Sequence, residues 1–279
     1  MQLVSCHNGR LFTTTSQSEH AVVMERAFVT GLNALDEVAP AGRFVRGAIH
    51  ELLVEPAESL PRFVAMIFAR ASSSLSPWER VGVRGFSNHE SLDFQSPLTL
   101  TLSRGERESE VSLPESHRAV VWCDSSRDLY PPAIAPFVPL DRLYLLHPKN
   151  LIEESWAVAE CLRCKGVAAV VAAPGKLSRL DARRLQLAAE RGGGVGILMR
   201  HFDRGANIYA AATRWLVSPC PSSRINVQKW KIQLIHGHGG RVGNTVILEH
   251  HRETNLVRAT EQLVDRLVST TTAAIRASA

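Results

Sequence analysis

Apolar and polar positions alternate in two rhythms along most of the chain. "HRAVVWCD", "RLYLLHP", "VAAVVAAP" and "GVGILMR" are short continuous apolar runs. Between them lie "NLIEESWAVAECLRCKG" and "SRLDARRLQLAAERGG", whose apolar residues recur at three and four. The first set predicts strands and the second helices, with Ser178 as a cap for the latter helix. Upstream, a turn-rich stretch, "FVTGLNALDEVAPAGRFVRG", leads to a strand, "AIHELLV", and a helix, "PRFVAMIFARAS". Strands that are apolar throughout are covered on both faces, so the pattern predicts an α/β fold: a doubly wound, mostly parallel sheet with helices on both faces.

Two regions break that rhythm. From Leu75 to Glu110 few aliphatics recur in any order, which marks an insertion expected to be disordered. Its ends are related through their codons. Leu102 to Arg107, "LSRGER", written CTC TCC CGC GGG GAG AGG, reads on the opposite strand in a shifted frame as Leu-Ser-Pro-Arg-Glu, close to "LSPWE" at 75 to 79. A translated inverted repeat is inferred, and a gene whose codons here are not near complementary would refute it. The functional alternative is a DNA-contacting loop bearing Arg80, Arg84, Arg104 and Arg107.

The second departure is C-terminal. "KWKIQLIHGHGGRVGNTVILEHH" predicts two alternating strands around a Gly-rich turn, an antiparallel hairpin on the sheet edge or in a small subdomain. "NLVRATEQLVDRLV" predicts a short amphipathic helix with Leu256, Thr260, Leu263, Val264 and Leu267 on one side, before a Ser, Thr and Ala-rich end. The expected organisation is an extended segment over 1–27, a core over 28–74 and 111–218, the insertion at 75–110, a hairpin over 219–258 and a helical tail over 259–279.

Composition changes this picture little. Hydrophobic residues make up 45% of the 279, as in ordinary globular proteins. A net charge of +5 permits an anionic partner without being a polybasic tail. Polar residues break every apolar run of "MQLVSCHNGRLFTTTSQSEH", so neither a signal peptide nor a spanning helix is expected there. A cytoplasmic protein with no membrane partner is the expectation. Five cysteines in a chain of this length imply reduced thiols rather than a disulfide framework.

The order of pieces resembles the RecA family of recombination ATPases. "TGLNALDEVAPAGRFVRGAIHELL" resembles that family's approach to its phosphate loop. "VVWCDSSRDLYPPAIAPFVPLDRLYLLHP" resembles its second strand and the segment after it, and "GVAAVVAAP" the strand that ends in a metal-linked acid. The likeness spans roughly residues 29 to 250 without the insertion. Within the family it is to the ImuA-type accessory proteins of mutagenic translesion synthesis, whose terminal hairpin features correspond here to Trp230, Ile232, Gly239, Gly240, Arg241 and Gly243.

At the phosphate-loop position the chemistry is missing. A GxxxxGK[ST] loop needs glycines to turn backbone N–H groups onto phosphate, a Lys for charge and a hydroxyl for Mg²⁺. "VEPAESLPRF" has no glycine, Pro61 stands about where the Lys belongs, and Glu55 and Glu58 repel phosphate. Ser59 and Arg62 remain, Arg62 supplying charge without the backbone nest. Ala172 or Ala173 occupies the place of the metal-linked acid, and Ser125 and Ser126, after Asp124, that of the water-activating Glu. Hydrolysis needs all these supports together. A protein without ATPase activity and without a cofactor or metal is expected, and the contrary case is a regrouping of Asp124, Ser59 and Arg62 into an unusual site.

Other candidate chemistry is thin. Cys161 and Cys164 have metal-finger spacing but no second ligand pair nearby, and read as core residues. His236, His238, His250 and His251 gather near one hairpin and read as turn and strand-end residues. A basic excess after residue 200 is more informative: Arg200, Arg204, Lys229, Lys231 and Arg241 are candidate DNA contacts, with Tyr209, Trp215 and Trp230 available for base stacking. Trp230, Leu256, Leu263 and Leu267 are candidate partner anchors.

The resemblance implies a RecA-like accessory protein that bridges an error-prone polymerase assembly to RecA-coated DNA after damage. The implied partners are a Y-family polymerase-like protein, a replicative-type error-prone polymerase subunit, RecA and single-stranded DNA. The alternatives are a SulA-type inhibitor of cell division and a residual DNA-stimulated ATPase.

Overall fold

The run "AIHELLV" forms a strand, Ala48–Val54, that is buried at every position. It lies at the centre of the computed structural model, which describes residues 27–73, 118–203, 211–237 and 239–259, with the backbone alone for 3–7, 10–14 and 260–261. In chain order the elements are β1 (Leu3–His7), β2 (Arg10–Thr14), β3 (Ala27–Phe28), α1 (Asn33–Val38), β4 (Phe44–Val45), β5 (Ala48–Val54), α2 (Arg62–Ser73) and β6 (Ala119–Cys123). After these come α3 (Pro131–Ile134), β7 (Leu143–Leu146), α4 (Leu151–Arg163), β8 (Val167–Ala172), α5 (Arg179–Gly192), β9 (Val195–His201), β10 (Thr213–Cys220), β11 (Val227–Gly237), β12 (Thr245–His251) and β13 (Leu256–Glu261).

Nine of the described strands form one mixed sheet in the order β13-β12-β11-β10-β5-β9-β8-β6-β7. From β10 to β7 every neighbouring pair is parallel. From β10 to β13 every pair is antiparallel. Smaller antiparallel pairs join β1 to β2 and β3 to β4. The chain is therefore α/β with a large, mostly parallel, mixed sheet.

Helices cover the parallel part on both sides. On one face Val64, Ile67 and Phe68 of α2 pack on Leu52, Val54, Ile197 and Met199, and the same cluster runs on through Leu35 and Val38 of α1 to Val246 and Leu248. On the other, Val158 and Leu162 of α4 and Leu185 and Ala189 of α5 meet Ile49, Val121, Val170 and Leu198. The two helices start on side-chain caps: Asn150 accepts from Glu153 N, and Ser178 accepts from Asp181 N. Their C-terminal ends come so close that a Cβ on Gly192 would stand 2.0 Å from Leu162 O. Among the described residues no helix is long and apolar enough to cross a membrane.

Two expectations change and one is extended. The helix expected to start near Leu256 is strand β13 where it is described, paired along β12 from His251↔Leu256 to Val246↔Glu261. The sequence fits both periods there. A turn of four residues after β12 brings the chain back alongside it, and Val257 and Ala259 pack on the core in strand alternation. Second, of the two placements expected for the hairpin, the sheet takes the first and extends it: β11 and β12 continue the main sheet with β10 and β13. Third, β10 has no counterpart among the expected strands, because Arg214, Ser218 and Pro219 obscure the alternation of buried Trp215 and Val217. The insertion at 75–110 lies outside the described residues.

The Gly-rich turn after β11 is a docking element for α1. Arg241 N donates to Val38 O at 3.0 Å, and a Cβ on Gly240 would meet Leu234 Cδ2 at 2.5 Å and Val38 O at 3.2 Å. A side chain at 240 would have to displace the Leu234 methyl and crowd Val38 O.

Candidate functional site at the C-terminal ends of the parallel strands

In open α/β sheets ligands bind outside the carboxyl ends of the strands. Here that edge is built from the 55–61 loop after β5, the turn after β6, the 173–178 segment after β8 and the end of β9. In the 55–61 loop, Glu58 N donates to Glu55 O at 2.9 Å and Arg62 N to Leu60 O at 2.8 Å, while Pro56 and Pro61 have no N–H to offer. Residues 55–61 all have negative φ. An anion nest needs successive N–H groups turned inward by alternating right- and left-handed residues. This loop does not form one. Its outer side is held by His201, whose Nε2 donates to Glu58 O at 3.2 Å.

The cation that follows the 55–61 loop is already matched. Arg62, the first residue of α2, donates through one Nη2 to both oxygens of Asp128, at 2.8 and 2.6 Å. Asp128 accepts from Ser126 Oγ at 2.8 Å, and that bond first, with the Arg62 charge behind it, lowers the carboxyl's pKa. Asp124 is turned inward, 4% exposed, where Oδ2 accepts from Leu129 N at 3.0 Å. It fixes the turn after β6 and is not drawn to Arg62, whose partner is Asp128. Ser59 is exposed on the loop. The regrouping of Asp124, Ser59 and Arg62 is not what the fold assembles.

Glu154 is a residue the sequence did not single out. It reaches the same edge from the first turn of α4 and is 2% exposed. Burial raises its pKa, opposed by hydrogen bonds from the Ser125 side chain and the Ala173 backbone. Its Oε1 has no partner. No pattern in "NLIEESWAVAE" separates this buried acid from Glu153 beside it, which accepts from Lys149 N at the helix start.

The basic candidates scatter. Arg200 is 8% exposed and lies inside the molecule, donating to Glu51 Oε1 at 3.0 Å and to Gly175 O at 3.2 Å. It faces the helices of its own sheet, which removes it from any DNA surface. Lys229 pairs with Glu249 at 2.5 Å, and Lys231 and Arg241 are exposed. Trp215 is fully buried. Trp230 is half-buried and stacks on Phe63 at 4.6 Å and 11°, so its ring is spent internally rather than offered as a partner anchor. Leu256 remains 43% exposed. Arg204, Tyr209, Leu263 and Leu267 lie outside the described residues. Among the described residues no group of three or more His, Cys, Asp or Glu could hold a metal, the CLRC pair included.

With this geometry in place, two curated relatives are informative. Both are named Protein ImuA, from Caulobacter vibrioides strains NA1000 / CB15N and ATCC 19089 / CIP 103742 / CB 15, and each is 28% identical over 145 residues. The chain is similar to ImuA. The match covers 46% of this chain and 59% of the ImuA relatives, so it spans well under two thirds of their length. No family model matches the chain.

Proposed function

We propose that this chain is a RecA-like accessory protein of SOS-linked mutagenic DNA repair. It would bridge an error-prone polymerase assembly, with its Y-family-like and replicative-type subunits, to RecA and single-stranded DNA in the cytoplasm. The similarity to ImuA is the observation that carries this reading. The sheet supports it: the strand-loop-helix unit from β5 to α2 lies at the centre of a mostly parallel sheet covered on both faces.

The role is read as non-catalytic because the parts of an ATPase are spent otherwise. Arg62 is bound to Asp128, the 55–61 loop has no left-handed residue, and Ala172 ends the strand where a metal-linked acid would stand. Fold likeness alone is a weak functional warrant, so the tests are direct. Deleting the gene should reduce damage-induced mutation, and affinity capture of the full chain from damaged cells should recover a Y-family polymerase-like protein or RecA. Undiminished mutation in the deletion strain would sink the accessory role. Binding of Mg-ATP in a calorimetric titration would sink the non-catalytic one.

A further inference from the structure

Strands β10 to β13 have two unlike faces. One carries Trp215, Val217, Ile232, Leu234, Val246 and Leu248 into the core. On the other, the register sets Ser218, Lys231 and Ile247 in one row and Cys220, Lys229, Glu249 and Arg258 in the next. Helices α4 and α5 cover that side over β5, β6, β8 and β9. Beyond them Lys231 and Arg258 stand exposed, with Ser218, Lys229, Gln233 and Glu249 half-buried. The turns at one end of these strands add exposed Arg224 and Arg252, tied together by Arg252 N donating to Asn226 O at 2.9 Å.

The charge on this face is unbalanced. Glu249 is matched by Lys229, and Glu253 accepts from the Asn226 amide. Among the described residues no ion pair forms with Lys231, Arg252 or Arg258, and Arg224 meets only the Glu249 charge that Lys229 already takes. The tryptophans of these strands, Trp215 and Trp230, both belong to the core side. A peptide ligand would call for large apolar anchors at the centre of the face, where Leu216 and Ile247 are half-buried; the exposed Ile225 and Leu256 stand at the turn end. What it offers is repeated positive charge on a twisted surface, which a flexible polyanion can follow.

We propose that this face binds the sugar-phosphate backbone of single-stranded nucleic acid, without stacking its bases. The choice of nucleic acid over another polyanion rests on the DNA-linked function proposed above; the charge does not.

The test is fluorescence anisotropy of the full-length protein with a labelled oligothymidylate, titrated with salt. Four phosphate contacts on a single strand give a log-log salt slope of about −3. The double variant K231A/R258A should weaken binding by about tenfold and flatten that slope by roughly 1 to 1.5. Arg184→Ala, an exposed cation on α5, should change neither. An abasic phosphodiester oligomer should bind as tightly as the oligothymidylate. Unchanged binding by K231A/R258A, or a large loss with the abasic oligomer, would overturn the proposal. So would binding of polyglutamate to the face with none of the oligonucleotide, which would assign it to an acidic protein. Both substituted side chains are exposed, so the variants should keep the parent's circular dichroism spectrum, which serves as the folding control. Failure of the accessory role in the deletion strain would leave this binding result standing.

Discussion

Glu51 on β5 and Arg214 on β10 stand directly opposite each other in the parallel register, and Arg214 Nε donates to Glu51 Oε2 at 2.8 Å. The other oxygen takes Arg200 Nη1 from β9 at 3.0 Å, so one carboxylate holds strands on both sides of it. The three side chains are 2%, 13% and 7% exposed, in the order Glu51, Arg214, Arg200. Removing one member of a buried ion set leaves uncompensated charge, at a cost of about 3 to 5 kcal/mol. Glu51→Gln should lower the unfolding free energy by about that amount, read from urea denaturation. A triple replacement of Glu51, Arg200 and Arg214 by apolar residues should recover most of it.

His50 is held neutral by burial, and a directed chain of hydrogen bonds sets its tautomer. Its Nε2 donates to Val45 O at 3.0 Å, so Nδ1 accepts from Thr213 Oγ1 at 2.7 Å, and that hydroxyl accepts from Trp215 Nε1 at 2.8 Å. Rings of Phe28, Phe44 and Phe68 surround it. Burial pushes its pKa down from 6.5 to about 4. A lowered histidine pKa means the unfolded chain takes up the proton first. Its contribution is complete above about pH 6.5 and is lost as the pH falls towards 4. Burial lowers His250 in the same sense, whereas the raised carboxyls of Asp36 and Glu154 act oppositely. The expected result is a fall in urea midpoint from pH 7 to pH 5 that is smaller in His50→Gln than in the parent, because Gln keeps a donor and an acceptor but does not titrate.

Arg62 and Asp128 form an exposed pair, with side chains 34% and 50% accessible. Exposed pairs contribute at most about 1 kcal/mol and less in salt. Asp128→Ala should therefore move the denaturation midpoint little, and less still at high salt. Because the 55–61 loop lacks a backbone nest, freeing Arg62 should not create Mg-ATP binding by calorimetry.

Gly192 lies where the ends of α4 and α5 meet. A Cβ there would stand 2.0 Å from Leu162 O and 2.8 Å from the Arg163 carbonyl carbon, both backbone atoms that no rotamer can move. Gly192→Ala should destabilise by about 1 to 3 kcal/mol through overpacking. Gly31→Ala meets no atom within 4 Å and pays only for its positive φ of 77°, so it should cost less, with both variants compared by thermal melts.

The sequence by itself determined the parallel half of the fold. Val167–Ala172, apolar throughout, and the largely apolar runs Ala48–Val54 and Val195–His201 have one physical solution, burial on both faces, and the helices between them carry their caps in the chain, as Ser178 does. The absence of a backbone nest at residues 55–61 was legible for the same reason: a local nest needs local glycines. Only the tertiary structure decided what depends on partners far away in sequence. Leu256–Glu261 fits a helix or a strand until β12 lies beside it. Arg200 and Lys231 look alike as basic residues until the sheet buries one against Glu51 and leaves the other on an open face. Arg62 meets Asp128 across 66 residues, and Glu154 is buried at the sheet edge by the placement of a whole helix. Charge and burial at such positions are set by long-range packing, which a local pattern does not encode.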